Sequence, residues 1–417
     1  MHENRTKKLL MLQDRFIPKR TQDSDILTLK LKQNGVNSKY HSNLENILFS
    51  ESIEKNTVLN FSEKQKSKGT KLDFGLLRDN IRMNHEKQNK LKIRNIPLQP
   101  QRILAAQGLL DDFYLNLIDW SSKDILAVCL NSSVYLWNAQ SNKIQLLMTC
   151  DDRRDFITSL SWEKNGVYLA LGTSYNFVLI YDAIELRKMR IIDCHVARVG
   201  SICWNGNLLT SASRDGVIIN HDLRHRDSIV DLVYGHTSDV CGLKWSPDFK
   251  HLASGGNDNI LNIWDIHKFK KPKIVFDQHK AAVRAISWCP TNKNILASGG
   301  GTSDKTLRIW DISNSTCSNF TETNSQICSI AWSTYGDELV STHGFSENQI
   351  IVWKYQNLQP IQKLPGHQAR IIHMAQSPDG ETICTGAGDE TLRFWKIFEP
   401  KLKDNFDPLS IMNMDIR

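Results

Sequence analysis

Ser254–Asp265 reads SGGNDNILNIWD, and the phase of the C-terminal three quarters of the chain follows from it. Gly255-Gly256-Asn257-Asp258-Asn259 is polar and glycine-rich and predicts a tight turn between two antiparallel strands. The β-type run after it closes on Trp264-Asp265. The unit reads as strand, turn, strand. Its closing residue recurs: Trp137, Tyr181, His221, Trp264, Trp310, Trp353 and Trp395 end corresponding runs at separations of 44, 40, 43, 46, 43 and 42 residues. A second register lies one strand earlier, at Trp120, Trp162, Trp204, Trp245, Trp288 and Trp332, with Gln376 in the seventh place. Two independent markers keep one period.

A period of roughly 40–45 residues, with Gly-His upstream and Trp-Asp at the end, is the WD-repeat signature of a β-propeller. Gly235-His236 and Gly366-His367 carry the dipeptide, and His195 and His279 keep the His alone. His236, Ser254, Asp258 and Trp264 stand in the order of a buried hydrogen-bond chain that ties the strands of one blade together. They are therefore read as structural, not catalytic. The expected fold is all-β: a seven-bladed WD-repeat β-propeller over residues 101–400, after a largely disordered, basic N-terminal tail (1–100) and before a C-terminal tail (401–417). The seventh blade runs out of strand-forming sequence at Glu399-Pro400, so its outer strand is expected from Arg102–Ala106, RILAA, which joins the two ends of the ring.

Charge separates the same two regions. The chain carries +7 overall, but residues 1–100 hold 20 Lys+Arg against 11 Asp+Glu, a balance of +9, and the remainder is slightly acidic. A basic tail fits an acidic protein surface or nucleic acid. Stretches such as Lys64–Thr70 are polar enough to stay unfolded. Nine cysteines are scattered singly with no CxxC pair, which points to a reducing intracellular compartment and away from zinc. Neither a signal peptide nor an apolar run of membrane-spanning length is present, so a soluble protein of nucleus and cytoplasm, with no membrane partner, is expected. Gly299-Gly300-Gly301 lacks a following helix pattern and is not a phosphate loop. With His and Asp consumed by the repeats, no catalytic residue, metal site, cofactor or small-molecule substrate is expected.

One segment stands out in the tail. Asp14-Arg15-Phe16-Ile17-Pro18-Lys19-Arg20 combines a rigid Pro, two adjacent apolar residues and flanking Arg, a peptide suited to dock extended with guanidinium forks on carboxylates. It closely resembles the C-box, DR(Y/F)IPxR, of the Fizzy family of coactivators of the anaphase-promoting complex. Asp111–Trp120 (DDFYLNLIDW), His195–Gly200 (HVARVG) and Val240–Asn259 are similar to that family's blades, and Ile416-Arg417 is similar to its C-terminal Ile-Arg tail. The resemblance implies a non-enzymatic adaptor. Asp14, Arg15, Phe16, Ile17, Pro18 and Arg20, with Ile416 and Arg417, would hold subunits of the ligase. The propeller would capture degrons of substrates such as cyclins for ubiquitination.

The resemblance also implies two substrate sites. On the central face, Asp112, Phe113, Asn257, Asn259, Thr302, Gln326 and Arg370 match the pocket for a Lys-Glu-Asn degron. The types suit it: an acid for the Lys, Arg370 for the Glu, and amide or hydroxyl groups for the Asn and the backbone. For Asn257 and Asn259 the plain alternative is turn chemistry. Between the first and last blades, Leu104, Ala105, Ile144 and Glu390 match the groove for the destruction box, with Ala105 where the family normally has Asp. Loss of one of two carboxylates around a guanidinium should cost about 1–3 kcal/mol, so destruction-box binding is expected to be weaker.

Further departures mark the tail. Gly75 precedes Leu76-Leu77-Arg78 where the family has Lys, and Arg94 stands in Lys92-Ile93-Arg94 where checkpoint binding would need an apolar residue. No Ser-Pro or Thr-Pro pair occurs in residues 1–100, which predicts escape from proline-directed kinases, as in a meiotic or germline member. The competing reading is a WD-repeat scaffold that binds nucleic acid or chromatin through the basic tail. It predicts salt-sensitive binding to polynucleotides and indifference to Arg15, Ile416 and Arg417; the coactivator reading expects no nucleic-acid partner.

Overall fold

The computed structural model describes residues 96–399, apart from 151 and 153. Asp14–Arg20, the segments around Leu76–Arg78 and Lys92–Arg94, and Ile416-Arg417 lie outside the described residues. Within them, 28 strands form seven four-stranded antiparallel sheets, the blades of a propeller. Six blades use four consecutive strands. The seventh takes Arg102–Ala105 as its outer strand against Thr391–Lys396, in the register Arg102↔Phe394 to Ala105↔Thr391. This is the expected closure: the two ends of the chain's propeller segment share one sheet. Phe394 packs 5.7 Å from Trp120 and 5.0 Å from Trp137, so last-blade and first-blade aromatics form one core across the seam.

Blade four, built from Val240–Trp245, His251–Gly256, Leu261–Asp265 and Ile274–Phe276, shows the hydrogen-bond chain in full. Trp264 Nε1–H donates to Ser254 Oγ at 2.8 Å, Ser254 Oγ lies 2.8 Å from His236 Nε2, and His236 Nδ1 lies 3.0 Å from both Asp258 oxygens. Burial alone would raise the Asp258 carboxyl, but the His236 bond and the N–H groups of Thr237 and Ile260 outweigh it and hold it below the usual range. Blade five repeats the chain with Trp310, Ser298, His279 and Asp304, and blade seven with Trp395, Thr385, His367 and Asp389. In blade three His221 takes the Trp place, 2.9 Å from Ser211. Blade six has no upstream His. Its His343, two residues after Ser341 on the same strand face, fills the gap between Ser341 and Ser325 at 2.7 and 2.9 Å.

The structure corrects one local expectation. Gly255 and Gly256 are strand residues, not turn residues. A Cβ on Gly255 would meet the Val283 carbonyl of the next blade at 2.2 Å, and one on Gly256 would meet His236 Nδ1 at 2.6 Å. The glycines allow blade four to approach blade five and leave room for the histidine. The turn proper is made by Asn257–Ile260, with Asn259 at φ 65° and the Gly256 N–H donating to the Ile260 carbonyl.

The second tryptophan register has a different role. These residues lie at the end of the inner strands, Trp204 one residue short of it, and their indoles stitch neighbouring blades. Trp162 donates to the Asp119 carbonyl, Trp204 to Ser161, Trp288 to Lys244 and Trp332 to Ser287; Gln376 donates to Trp332. In each indole bond the acceptor immediately precedes the previous blade's tryptophan. Trp245 departs, donating to Thr210 Oγ1, and Trp120 Nε1 has no partner at the seam between blades seven and one. There the shared sheet holds the ring.

Candidate functional site

The inner strands of five blades carry a β-bulge near their first residue: the register skips Thr158, Cys241, Arg284, Cys328 and Ile372. A bulge re-aims the extra residue, and here these residues gather at the throat of the central channel. Arg284 closes it. Its guanidinium, 5 % exposed as a residue, donates to the carbonyls of Cys328 and Ile372 at 2.6 Å and of Leu115 at 2.5 Å. These are three different parts of the ring. Burial pushes this guanidinium's pKa down, and it pushes the neighbouring Cys241 and Cys328 thiols up to about 12, so the throat offers no thiolate.

Phe113 lies on this plug. It is 6 % exposed, packed with Cys241, Ala282 and Cys328, and its ring stands 5.7 Å from the Arg284 guanidinium. Among the seven residues matched to the Lys-Glu-Asn pocket it is floor rather than rim. Asp112 beside it accepts from the Tyr114 N–H at 2.9 Å and from Arg198 Nη1 at 3.3 Å. Arg198 also donates to Asp239 at 2.7 Å and lies over the Tyr114 ring. Asn257 is exposed; its side chain accepts from Tyr114 Oη at 3.0 Å, and its N–H donates to the Asp239 carbonyl. Asp112, Phe113 and Asn257 are thus brought together.

Gln326 and Arg370 meet through Gly344. A Cβ there would lie 3.1 Å from Gln326 Oε1 and 3.6 Å from Arg370 Cβ. Gln326 itself is buried. Thr302 is exposed and follows Gly301, which packs on Ala282 of the Phe113 cluster. Asn259 is half-buried and has the left-handed backbone of a turn residue, the role its type allows without any ligand.

Sequence reasoning missed four contributors here: Asp111, Tyr114, Arg198 and Asp239. Arg370 Nε–H donates to Asp111 Oδ1 and its Nη2–H to the Asp111 carbonyl, both at 2.6 Å. Tyr114 and Arg198 stood within DDFYLNLIDW and HVARVG, so the signal was present, but the repeat pattern does not say which side chains of different blades pair with each other.

The four residues matched to the side groove lie on or beside the closing strand and on blade one's outer strand. Leu104 is half-buried against the core of blades one and seven, whereas Ala105 is exposed, as alternation along a strand requires. Ile144, at the start of blade one's outer strand, is 68 % exposed. Glu390 is exposed at φ 56°, and its Oε1 accepts the Gly108 N–H at 3.3 Å. Arg102, on the same strand face as Leu104, spans the seam: Nη1 donates to Asn142 Oδ1 at 2.6 Å, and the guanidinium lies 5.3 Å from the Trp137 ring centroid. Among the described residues no group of three or more His, Cys, Asp or Glu could hold a metal ion.

Comparison with known proteins gives a consistent result. The family model described as the CDC20/Fizzy WD40 domain matches residues 104–395. The chain is 49 % identical over 316 residues to the anaphase-promoting complex subunit cdc20 of Dictyostelium discoideum, covering 75 % of this chain and 63 % of that protein. It is 46 % identical over 311 residues to FIZZY-RELATED 3 of Arabidopsis thaliana, covering 74 % and 64 %, so it spans less than two thirds of the length of either. A third relative, FIZZY-RELATED 2 of the same plant, is 42 % identical over 414 residues and 84 % covered. Among solved structures, a chain of a mitotic checkpoint complex crystal structure superposes with a TM-score of 0.71 at 40 % identity, covering 74 % of this chain and 98 % of that one.

Proposed function

This chain belongs to the CDC20/Fizzy family, and on that premise we propose that it is a substrate-recognition coactivator of the anaphase-promoting complex ubiquitin ligase. It is an adaptor, not an enzyme. The C-box residues Asp14, Arg15, Phe16, Ile17, Pro18 and Arg20, with Ile416 and Arg417, dock it on the ligase. The central face, through Asp112, Asn257, Thr302, Gln326 and Arg370 over the Phe113 floor, takes a Lys-Glu-Asn degron, and the groove of Leu104, Ala105, Ile144 and Glu390 takes the destruction box of substrates such as cyclins. Its action belongs in nucleus and cytoplasm, in a meiotic or germline setting suggested by the absence of proline-directed phosphosites in residues 1–100.

The observation that carries the reading is the paired charge on the central face. The accessible Asp112 carboxylate and the Nη edge of Arg370 that Asp111 leaves free flank the apolar Phe113 floor, an arrangement that offers a partner to a cationic side chain and N–H donors to its neighbour in a short peptide. Pull-down of the ligase tests the adaptor role. Arg15→Ala, and separately deletion of Ile416-Arg417, should each abolish association while leaving the propeller's melting temperature unchanged. Retained association, together with salt-sensitive binding of polynucleotides, would instead favour the nucleic-acid scaffold.

A further inference from the structure

Arg370, the cation assigned to the acidic residue of the ligand, is already paired. Beside its two 2.6 Å bonds to Asp111, the Phe345 ring lies 5.7 Å from its guanidinium. Asp111 is seated by the fold: a Cβ on Gly388 would come within 2.7–3.0 Å of its carboxylate atoms, so the bare glycine leaves the space that the acid fills. Five N–H donors on a guanidinium minus the two used leave three. A ligand carboxylate can therefore still reach the Nη edge, but against the charge of Asp111 on the other edge.

The opposite side of the pocket is balanced differently. There Arg198 meets two carboxylates, Asp239 at 2.7 Å and Asp112 at 3.3 Å. Asp239 is the closer and the more buried, its side chain 7 % exposed against 38 % for Asp112. Counted by ion pairs, one carboxylate is left over at the accessible acid, where only the buried Arg284 charge beneath the floor faces it. At Arg370 one guanidinium meets one carboxylate, and nothing is left over. Arg284 lies beneath both sides, capped by Phe113, with its terminal N–H groups turned to backbone carbonyls.

We propose that Asp111 sets the specificity of this pocket by cancelling Arg370, so that the pocket grips a cationic side chain and reads the carboxylate beside it only weakly. This rests on the peptide-pocket reading above.

Fluorescence anisotropy with the full-length chain and labelled peptides carrying Lys-Glu-Asn, Lys-Gln-Asn or Gln-Glu-Asn cores tests it. For the native chain, loss of the Lys should weaken binding about tenfold and Glu-to-Gln only about twofold. Asp111→Asn keeps both acceptor groups on Arg370 and removes the charge, and should widen the Glu-over-Gln preference by about fivefold, the upper range for a half-exposed ion pair. Asp111→Ser should move the preference in the same direction, with thermal melting confirming that both variants fold, and Arg370→Gln should erase it in either background. An unchanged preference in folded Asp111→Asn, or tenfold discrimination already present in the native chain, overturns the role of Asp111 alone. If none of the peptides binds any of these proteins, the pocket reading itself falls, and this specificity with it.

Discussion

Ser254→Ala isolates the bond chain on which the blades are built. Ser254 is fully buried, and Trp264 is 1 % exposed. With His236 Nδ1–H directed at Asp258, the Ser254 hydroxyl donates to His236 Nε2 and accepts the Trp264 indole N–H. Removing Oγ leaves two buried polar groups without that partner, and at about 1–3 kcal/mol each the loss is about 2–6 kcal/mol. Asn262 Nδ2 lies 3.5 Å from His236 Nε2 and can take over part of that contact, which favours the lower half of the range. Urea unfolding of the full chain, followed by tryptophan fluorescence, measures it. The single substitution Trp264→Phe removes the donor, so the double variant should lose at least about 1 kcal/mol less than the sum of the singles. A Ser254→Ala cost under about 0.5 kcal/mol, or strict additivity with Trp264→Phe, would refute the chain as a source of stability.

Two further outcomes follow from the same geometry. Burial pulls His221, His343 and His373 down to about 3 from 6.5, so all three are neutral in the folded chain. Because only the unfolded chain takes up these protons below pH 6.5, stability is complete above that pH and falls towards pH 3, by up to about 4 kcal/mol per pH unit for three sites. Urea midpoints at pH 7.5, 6.5 and 5.5 should show the decline, His373→Leu should flatten part of it, since His251, His279 and His367 are also held below their usual value, and a level profile would count against neutral buried histidines. At the side groove, Ala105→Asp supplies a second carboxylate beside Glu390 and should tighten a destruction-box peptide about tenfold; equal affinity for variant and native chain would remove Ala105 from the recognition of the peptide's arginine.

The sequence alone determined the architecture. Seven units, their phase and the His236–Ser254–Asp258–Trp264 chain were legible because a blade is a local object, and its hydrogen bonds join residues 10 to 22 positions apart, within one period. Closure by Arg102–Ala105 was legible for a related reason: the seventh unit lacked one strand, and an open edge is costly. Even so, the strand glycines were misread as a turn, because glycine signals both a turn and the close approach of a neighbouring blade, and only packing tells them apart.

What tertiary structure decided lies between blades and across the axis. Arg370 meets Asp111 over a separation of 259 residues, Arg284 reaches Leu115 over 169, and Arg198 bridges Asp112 and Asp239 over 86 and 41. These separations are close to whole numbers of repeats, but the period only places residues at equivalent points of their blades and does not say which of them meet across the axis. Ring closure and the curvature of the blades bring them together, and the charge left over at each end of the pocket depends on who pairs with whom. The strands and buried chain of the blade were readable from SGGNDNILNIWD, and the residues of the central face were suggested only by the family resemblance, whereas the balance of charge that the face presents exists only in the folded ring.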